Sequence, residues 1–304
     1  IYFIQTIQKK IIIYSRDELK QYELKNYLTE NFKNHNKVRF FIGDVRDYER
    51  LLLASRQVDI LIHAAALKHV PIIEYNPFEA VKTNIYGAQN VIKASLQNNI
   101  NKIIALSTDK ASAPINLYGA TKLASDKLFI AANNIVGDQK ISFSVVRYGN
   151  VFGSRGSIIP YFLNSHKKKY FPITDVSMTR FHITLKQGIE FVLMSLTKMY
   201  GGEIFIPKLP SIKIKDIALA IDSNKKIKIV GLREGEKIHE DMITEEESIN
   251  TIVYDKYFVI GSTSKLLKTP LTKLALITKG NLSNKKFTYS SNSENNYLSI
   301  NQIK

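Results

Sequence analysis

The sequence predicts an α/β protein: a doubly wound parallel sheet with a smaller C-terminal lobe. Three observations lead there. Apolar runs rich in Ile, Val and Phe alternate with longer stretches of helical spacing through the first half of the chain. Distinctive polar residues stand just after each apolar run. The chain has 304 residues, 44% of them hydrophobic, enough to bury the core of one large domain or of a domain with an appended lobe.

The elements follow in order. Ile11-Ile12-Ile13-Tyr14 reads as a buried strand and Leu19 to Tyr27 as a helix. Val38 to Ile42 is a second strand, stopped by Gly43-Asp44. Asp47 to Ala54 suggests a short helix and Val58 to His63 a third strand. Pro77 to Gln97 carries apolar residues at helical spacing. Lys102 to Leu106 is a fourth strand, Tyr118 to Ala132 a long helix and Ile141 to Arg147 a fifth strand. After residue 153 the alternation loosens. Leu185 to Met199 is an amphipathic helix, and Glu203 to Pro207 a strand expected to return to the sheet. The expected division is therefore 1–155 with 183–210 as the sheet domain, and 156–182 with 211–304 as the lobe. No internal repeat is visible, and Ser290 to Asn296 reads as a polar, mobile stretch.

Composition narrows the classes. Lys and Arg number 43 against 27 Asp and Glu, a net charge of +16. The basic clusters His166-Lys167-Lys168-Lys169, Asn224-Lys225-Lys226 and Asn284-Lys285-Lys286 are scattered and not interleaved with a recognition motif. They read as solvated surface rather than a nucleic-acid interface, although positive potential would still attract a doubly anionic nucleotide. No apolar run reaches the roughly 18 residues that a membrane span needs. With no cysteine and no signal-peptide pattern, a cytoplasmic protein is expected.

In sheets of this kind, ligands bind beyond the carboxyl ends of the strands. Ser15-Arg16, Asp44-Val45, His63 to Ala66, Ser107 to Lys110 and Tyr148-Gly149-Asn150 all stand there. Tyr118 and Lys122 lie one helical turn apart on one face, where an ammonium would lower the pKa of the phenol. Thr108, Asp109 and Lys110 add a carboxyl and an amine just upstream. Groups of differing acidity this close are what general acid–base chemistry requires. Alone, Y-x-x-x-K is weak and often marks a solvated pair; Ser107-Thr108-Asp109-Lys110 and the surrounding strands reverse that reading.

These motifs resemble those of the extended short-chain dehydrogenase/reductases, and more closely the inverting UDP-N-acetylglucosamine 4,6-dehydratases of the polysaccharide biosynthesis protein family. The resemblance covers nearly the whole chain. It is carried by Tyr14 to Lys20, Gly43 to Asp47, His63 to Pro71, Leu106 to Lys110, Asn116 to Lys122, Arg147 to Val151, Met178 to Phe181 and Arg233 to Lys237. It implies a Rossmann-like sheet, a homo-oligomer and a UDP-sugar substrate, serving surface polysaccharide or pseudaminic acid synthesis. Lys110 is the discriminating residue: retaining relatives carry Glu there as the base at carbon 5.

By resemblance, Tyr118, supported by Lys122, accepts the proton of the carbon 4 hydroxyl as NADP takes hydride. Lys110 then removes the carbon 5 proton and Asp109 protonates the hydroxyl leaving carbon 6. Thr108 contacts the sugar. Lys110 is expected to have a depressed pKa, since an amine base must be partly neutral. Arg16 suits the 2′-phosphate of NADP, with Ser15, Glu18 and Lys20 framing that end. Asp44 and Val45 would meet the adenine, Ala64 the pyrophosphate side and Thr83 the nicotinamide side. Lys68 and Val151 complete the expected cofactor set along with Tyr118 and Lys122. Lys68, Asn150, Arg155, Thr179, Arg233 and Glu236 are the expected substrate contacts, and no metal is implied.

One departure stands out. Relatives begin with a strand and a G-G-T-G-S-x-G turn, and the present sequence has neither, so its first strand and glycine-rich turn are read as missing. Weak NADP binding and an unstable exposed sheet edge are expected of such a chain. Asn164 to Tyr170 is also shorter and more basic than in relatives. Competing readings are a sugar-nucleotide 4-epimerase, a retaining dehydratase, and a catalytically dead nucleotide-sugar-binding protein.

Overall fold

A computed structural model describes residues 10–154, 156–164, 169–261, 271–293 and 296–304. The N-terminal part runs β1 (Ile11–Ser15), α1 (Glu18–Asn31), β2 (Val38–Ile42), α2 (Tyr48–Ala54), β3 (Ile60–His63), α3 (Val70–Tyr75), α4 (Pro77–Ala80) and α5 (Gly87–Gln97). It continues through β4 (Lys102–Thr108), α6 (Leu117–Ala132), β5 (Ser142–Tyr148) and β6 (Asn150–Val151). Then come α7 (Ile158–Leu163), β7 (Tyr170–Ile173), β8 (Thr179–Ile183), α8 (Leu185–Lys198), β9 (Ile204–Pro207), β10 (Ser211–Lys213), α9 (Ile214–Ile221) and β11 (Lys226–Ile229). The chain closes with β12 (Asp241–Ile243), α10 (Glu245–Ser248), β13 (Thr251–Val253), β14 (Tyr257–Ile260), α11 (Leu271–Thr278), β15 (Asn281–Leu282), β16 (Tyr289–Ser290) and α12 (Ile300–Ile303).

The main sheet has seven strands in the order β15-β13-β14-β9-β5-β4-β3. β3, β4, β5 and β9 are mutually parallel, and β14, β13 and β15 extend the sheet in antiparallel fashion. The register pairs Ser107 with Arg147 and Thr108 with Tyr148, so both strands deliver their polar ends to one side of the sheet. β1 and β2 form a separate parallel pair. β3 is thus an edge of the main sheet, with Ile60 exposed.

β9 returns to the sheet as 183–210 suggested. The expected lobe 211–304 departs from expectation, because β13, β14 and β15 within it join the main sheet. β9 would otherwise leave a row of unpaired backbone groups along its outer side, and β14 covers them. The remaining lobe is built from β8 and β10, the β7–β11 pair, and α7 and α9.

Two apolar layers sandwich the main sheet. One gathers Ile103, Phe143, Val145 and Phe129 beneath α5 and α6; the other gathers Ile104, Val146, Val192 and Phe205 beneath α8. Alternate residues of β4 and β5 feed opposite layers, as the twofold period of a strand requires. A third cluster around Phe162, Phe171 and Ile217 holds the lobe together.

Candidate active site

β4 emerges from the core at Thr108, and Asp109–Ala111 makes a single 3₁₀ turn. The chain then reverses into α6, whose N-cap Asn116 accepts a hydrogen bond from the Gly119 amide at 2.8 Å. Gly119 lets the helix cross against the turn: a Cβ there would lie 2.2 Å from the Lys110 carbonyl oxygen. That close approach brings the Tyr118–Lys122 face to Asp109 and Lys110. Gly149 does the same for β8, where a Cβ would meet Phe181 at 2.5 Å.

Lys110 sits between two buried carboxylates. Its Nζ lies 3.0 Å from Asp109 Oδ1 and 3.1 Å from Glu240 Oε1. Asp109 is 0% exposed and Glu240 2% exposed. Thr108 Oγ1 donates to Asp109 Oδ1 at 2.9 Å, and Arg180 Nε stands 3.8 Å from Glu240 Oε1. Burial lowers the Lys110 pKa, but the two carboxylates outweigh it and hold the amine above its ordinary value. The depressed pKa expected from the sequence is therefore corrected. Burial raises the Asp109 carboxyl, yet Lys110 and the Thr108 hydrogen bond outweigh that and keep it below its usual range. Glu240 is pushed up, mainly by burial.

The Tyr118–Lys122 pair also differs from expectation. Lys122 is buried, and its Nζ donates to the Leu106 carbonyl at 2.8 Å. Burial lowers its pKa against the pull of Asp126 one turn on. Burial pushes the Tyr118 phenol up to about 12, and the cation that opposes this is Lys110, helped by the hydrogen bond between the phenol and the Thr108 side chain. Lys122 is anchored to the end of β4 instead of tempering the phenol.

Most of the expected cofactor residues stand at or soon after the ends of β1, β2 and β3. Ser15 accepts from the Asp17 amide at 3.1 Å, and Arg16 lies exposed, 3.5 Å from Asp44 Oδ2. Asp44 is gripped by Arg46 at 2.8 Å, which outweighs burial and lowers its carboxyl. Val45 is buried against Gly87. Glu18 and Lys20 open α1 as exposed residues; Lys20 pairs with Asp17 at 2.8 Å rather than reaching toward Arg16's end. Ala64 and Lys68 are exposed on the loop after β3. Thr83 is buried in a π-helical turn, Val81–Tyr86, and its Oγ1 has no hydrogen-bond partner. The orphaned Thr83 hydroxyl and the exposed Arg16 guanidinium are groups that a nicotinamide dinucleotide could use.

Among the expected substrate residues, Asn150 and Val151 pair with His182 and Ile183 of β8. Arg155 lies outside the described residues. Thr179 is interior: its hydroxyl meets His239 Nδ1 and Ser291 Oγ, each at 2.8 Å, so it supports the Glu240 segment. Arg233 and Glu236 lie 3.9 Å apart on a loop tied to α6 by the Asn116 side chain, which donates to the Gly235 carbonyl at 2.8 Å.

Three residues escaped the sequence reading. Glu240 is remote from Lys110 in the chain, and only its position just after Arg233 to Lys237 hinted at it. Asp126 holds Ser107 Oγ at 2.6 Å; a polar residue one turn beyond Lys122 on the same helix face was the available signal. Asn84 joins Leu67 and Thr121, with Nδ2 3.0 Å from the Leu67 carbonyl and from Thr121 Oγ1. An asparagine on the apolar side of the helix was the clue there. Among the described residues, no group of acidic or histidine side chains could hold a metal, and no helix is long and apolar enough to cross a membrane.

A Tyr-Lys pair on the helix that follows β4, in a Rossmann-type sheet with an added lobe, defines an extended short-chain dehydrogenase/reductase. The chain belongs to the polysaccharide biosynthesis protein family, whose model matches residues 2–262. It is 53% identical over 298 residues to a UDP-N-acetylglucosamine 4,6-dehydratase (inverting) of Campylobacter jejuni subsp. jejuni serotype O:23/36 (strain 81-176), covering 97% of this chain and 88% of the relative. It is 42% identical to a UDP-glucose 4-epimerase of Rickettsia bellii (strain OSU 85-389), over 83% of this chain and 79% of the relative. The X-ray structure of Pen from Bacillus thuringiensis superposes with a TM-score of 0.89 at 35% identity, covering 99% of this chain and 90% of that one.

Proposed function

We propose that this protein is an NADP-dependent, inverting UDP-N-acetylglucosamine 4,6-dehydratase, working in the cytoplasm as a homo-oligomer for surface polysaccharide or pseudaminic acid synthesis. The observation that carries the reading is Lys110, an amine at the end of β4 beside Asp109 and across from Tyr118. Ser15, Arg16, Asp44, Val45 and Thr83 would hold the cofactor, which supplies hydride acceptance at carbon 4 and return at carbon 6.

Tyr118 takes the proton of the carbon 4 hydroxyl, with Thr108 hydrogen-bonded to the phenol. A ketone at carbon 4 acidifies carbon 5, and Lys110 removes that proton. Asp109 passes a proton from the Lys110 ammonium it contacts at 3.0 Å to the hydroxyl leaving carbon 6. One proton and one hydroxide leave the sugar, as water. Exposed Lys68 and Arg233 and half-buried Glu236 would meet the UDP-sugar, and buried Thr179 supports the site from behind.

The test is incubation with UDP-N-acetylglucosamine in deuterated water, with NADP or NAD supplied, followed by proton NMR. A 6-deoxy-4-keto product carrying deuterium at carbon 5 in the inverted configuration, formed with NADP in preference, supports the reading. Lys110→Ala should abolish water loss and leave UDP binding within about threefold of wild type, whereas turnover at the wild-type rate would refute the base assignment. The 42% identity to a UDP-glucose 4-epimerase favours one alternative, epimerisation at carbon 4, which would give a hydrated product without deuterium at carbon 5.

A further inference from the structure

Glu240 lies just before β12, on a segment strapped across β8 and the 3₁₀ turn. Arg180 donates to the carbonyls of Ile238 and Lys237 at 2.9 and 2.8 Å, and Lys237 Nζ donates to the Ser112 carbonyl at 3.0 Å. The Glu240 amide donates to Ser291 Oγ at 2.9 Å, and its carbonyl accepts from the Ser291 amide at 2.8 Å. A carboxylate so fixed has little freedom to leave Lys110. Its second oxygen, Oε2, is buried without any hydrogen-bond partner, as is Asp109 Oδ2. An ionised carboxylate with a bare buried oxygen is costly, and a protonated one costs less.

We propose that Glu240 is a positioning residue for the reaction, which accepts a proton from the Lys110 ammonium so that the amine becomes a base. One N–H bond breaks at Lys110 Nζ and one O–H bond forms at Glu240 Oε1. The charged pair becomes a neutral pair, and no other reactant is needed. The proposal rests on the dehydratase reading for the use of that base. The charged and titratable groups around the pair are Asp109 on the same turn, Tyr118 on α6, Arg180 and His182 on β8, and Lys237 on Glu240's own segment. Of these, Asp109 alone shares Glu240's contact with Nζ, but its Oδ1 is also held by the Thr108 hydroxyl at 2.9 Å, which leaves it the less available acceptor. Burial raises the proton affinity of Glu240.

The experiment compares wild type, Glu240→Gln and Glu240→Asp. Steady-state kinetics with UDP-N-acetylglucosamine should show kcat for Glu240→Gln reduced roughly 10²- to 10³-fold, with KM within about threefold. The kcat of Glu240→Gln should keep rising with pH where the wild type is level, and Glu240→Asp should recover part of the rate. A wild-type pH profile in Glu240→Gln, or an equal loss in both variants accompanied by a raised KM, overturns the proposal. A second readout needs neither substrate nor cofactor: NMR titration of protein labelled with ¹³C-lysine, the Lys110 signal being assigned with Lys110→Met. The Lys110 midpoint should fall by about one pH unit or more in Glu240→Gln, and an unchanged midpoint overturns the coupling. If the wild type forms no 6-deoxy-4-keto product, the dehydratase reading fails and the titration still decides the Lys110–Glu240 pairing.

Discussion

Replacing Arg147 with methionine would remove the one guanidinium that holds two acidic elements at the back of the site. Arg147 is 0% exposed. Its NH1 donates to both Glu247 oxygens, at 3.0 and 2.9 Å, and to the Met242 carbonyl at 2.9 Å, while NH2 stands 3.9 Å from Asp126 Oδ2. Methionine fills most of the volume, so the loss is electrostatic rather than a cavity. Removing one partner of a buried ion pair costs about 3–5 kcal/mol, because the other charge is stranded. Arg147 Nε and NH2 have no hydrogen-bond partners, so the arginine is itself imperfectly solvated and the lower end, about 3 kcal/mol, applies. An unfolding entropy of ~2.1 cal/mol/K per residue gives roughly 0.6 kcal/mol/K for a chain of this length, so Tm should fall by about 5 °C. Calorimetry at pH 7 measures it. Adding Glu247→Gln should recover part of the loss, since that carboxylate is then no longer stranded. A single variant that melts within about 1 °C of wild type, or a double variant no better than the single, would refute this account.

Two further outcomes are expected. Burial, aided by Lys122, holds the His63 imidazole down at about 3, against an ordinary 6.5. A depressed folded pKa contributes stability above pH 6.5 that is lost as the pH falls. Denaturation midpoints should therefore drop by the equivalent of about 2 kcal/mol between pH 6.5 and 5, and His63→Leu should flatten that slope; an unchanged slope would contradict the burial argument. Gly119→Ala ought to favour a helix by propensity. Here its methyl would collide with the Lys110 carbonyl, so a loss of about 1–3 kcal/mol is expected by denaturant titration.

Much of the site was legible in the linear chain. Strand and helix periods located β1, β2 and the parallel strands of the main sheet, and the polar residues following them marked one side of the sheet. Tyr118 and Lys122 share a helix face by spacing alone, and Lys110 follows its strand directly. These are local properties, set by dihedral geometry over a few residues. The sheet's antiparallel extension was less legible, because β13, β14 and β15 are short and serve to cover the edge of β9. Thr179 looked like a ligand contact for a similar reason: a hydroxyl beside Arg180 gives no sign that His239 and Ser291 already hold it.

By itself, the sequence determined the α/β class, the family and the run from Ser107 to Lys122 proposed to carry the chemistry. The tertiary structure alone decided how those groups are charged. Spacing suggested a lowered phenol pKa and the resemblance a depressed lysine, and both directions reverse once the chain folds: burial raises Tyr118, and Asp109 with Glu240 raises Lys110. The physical reason is that a pKa is a balance between desolvation and partners in space. Glu240, the second of those two carboxylates, reaches Lys110 only through the packing of distant segments.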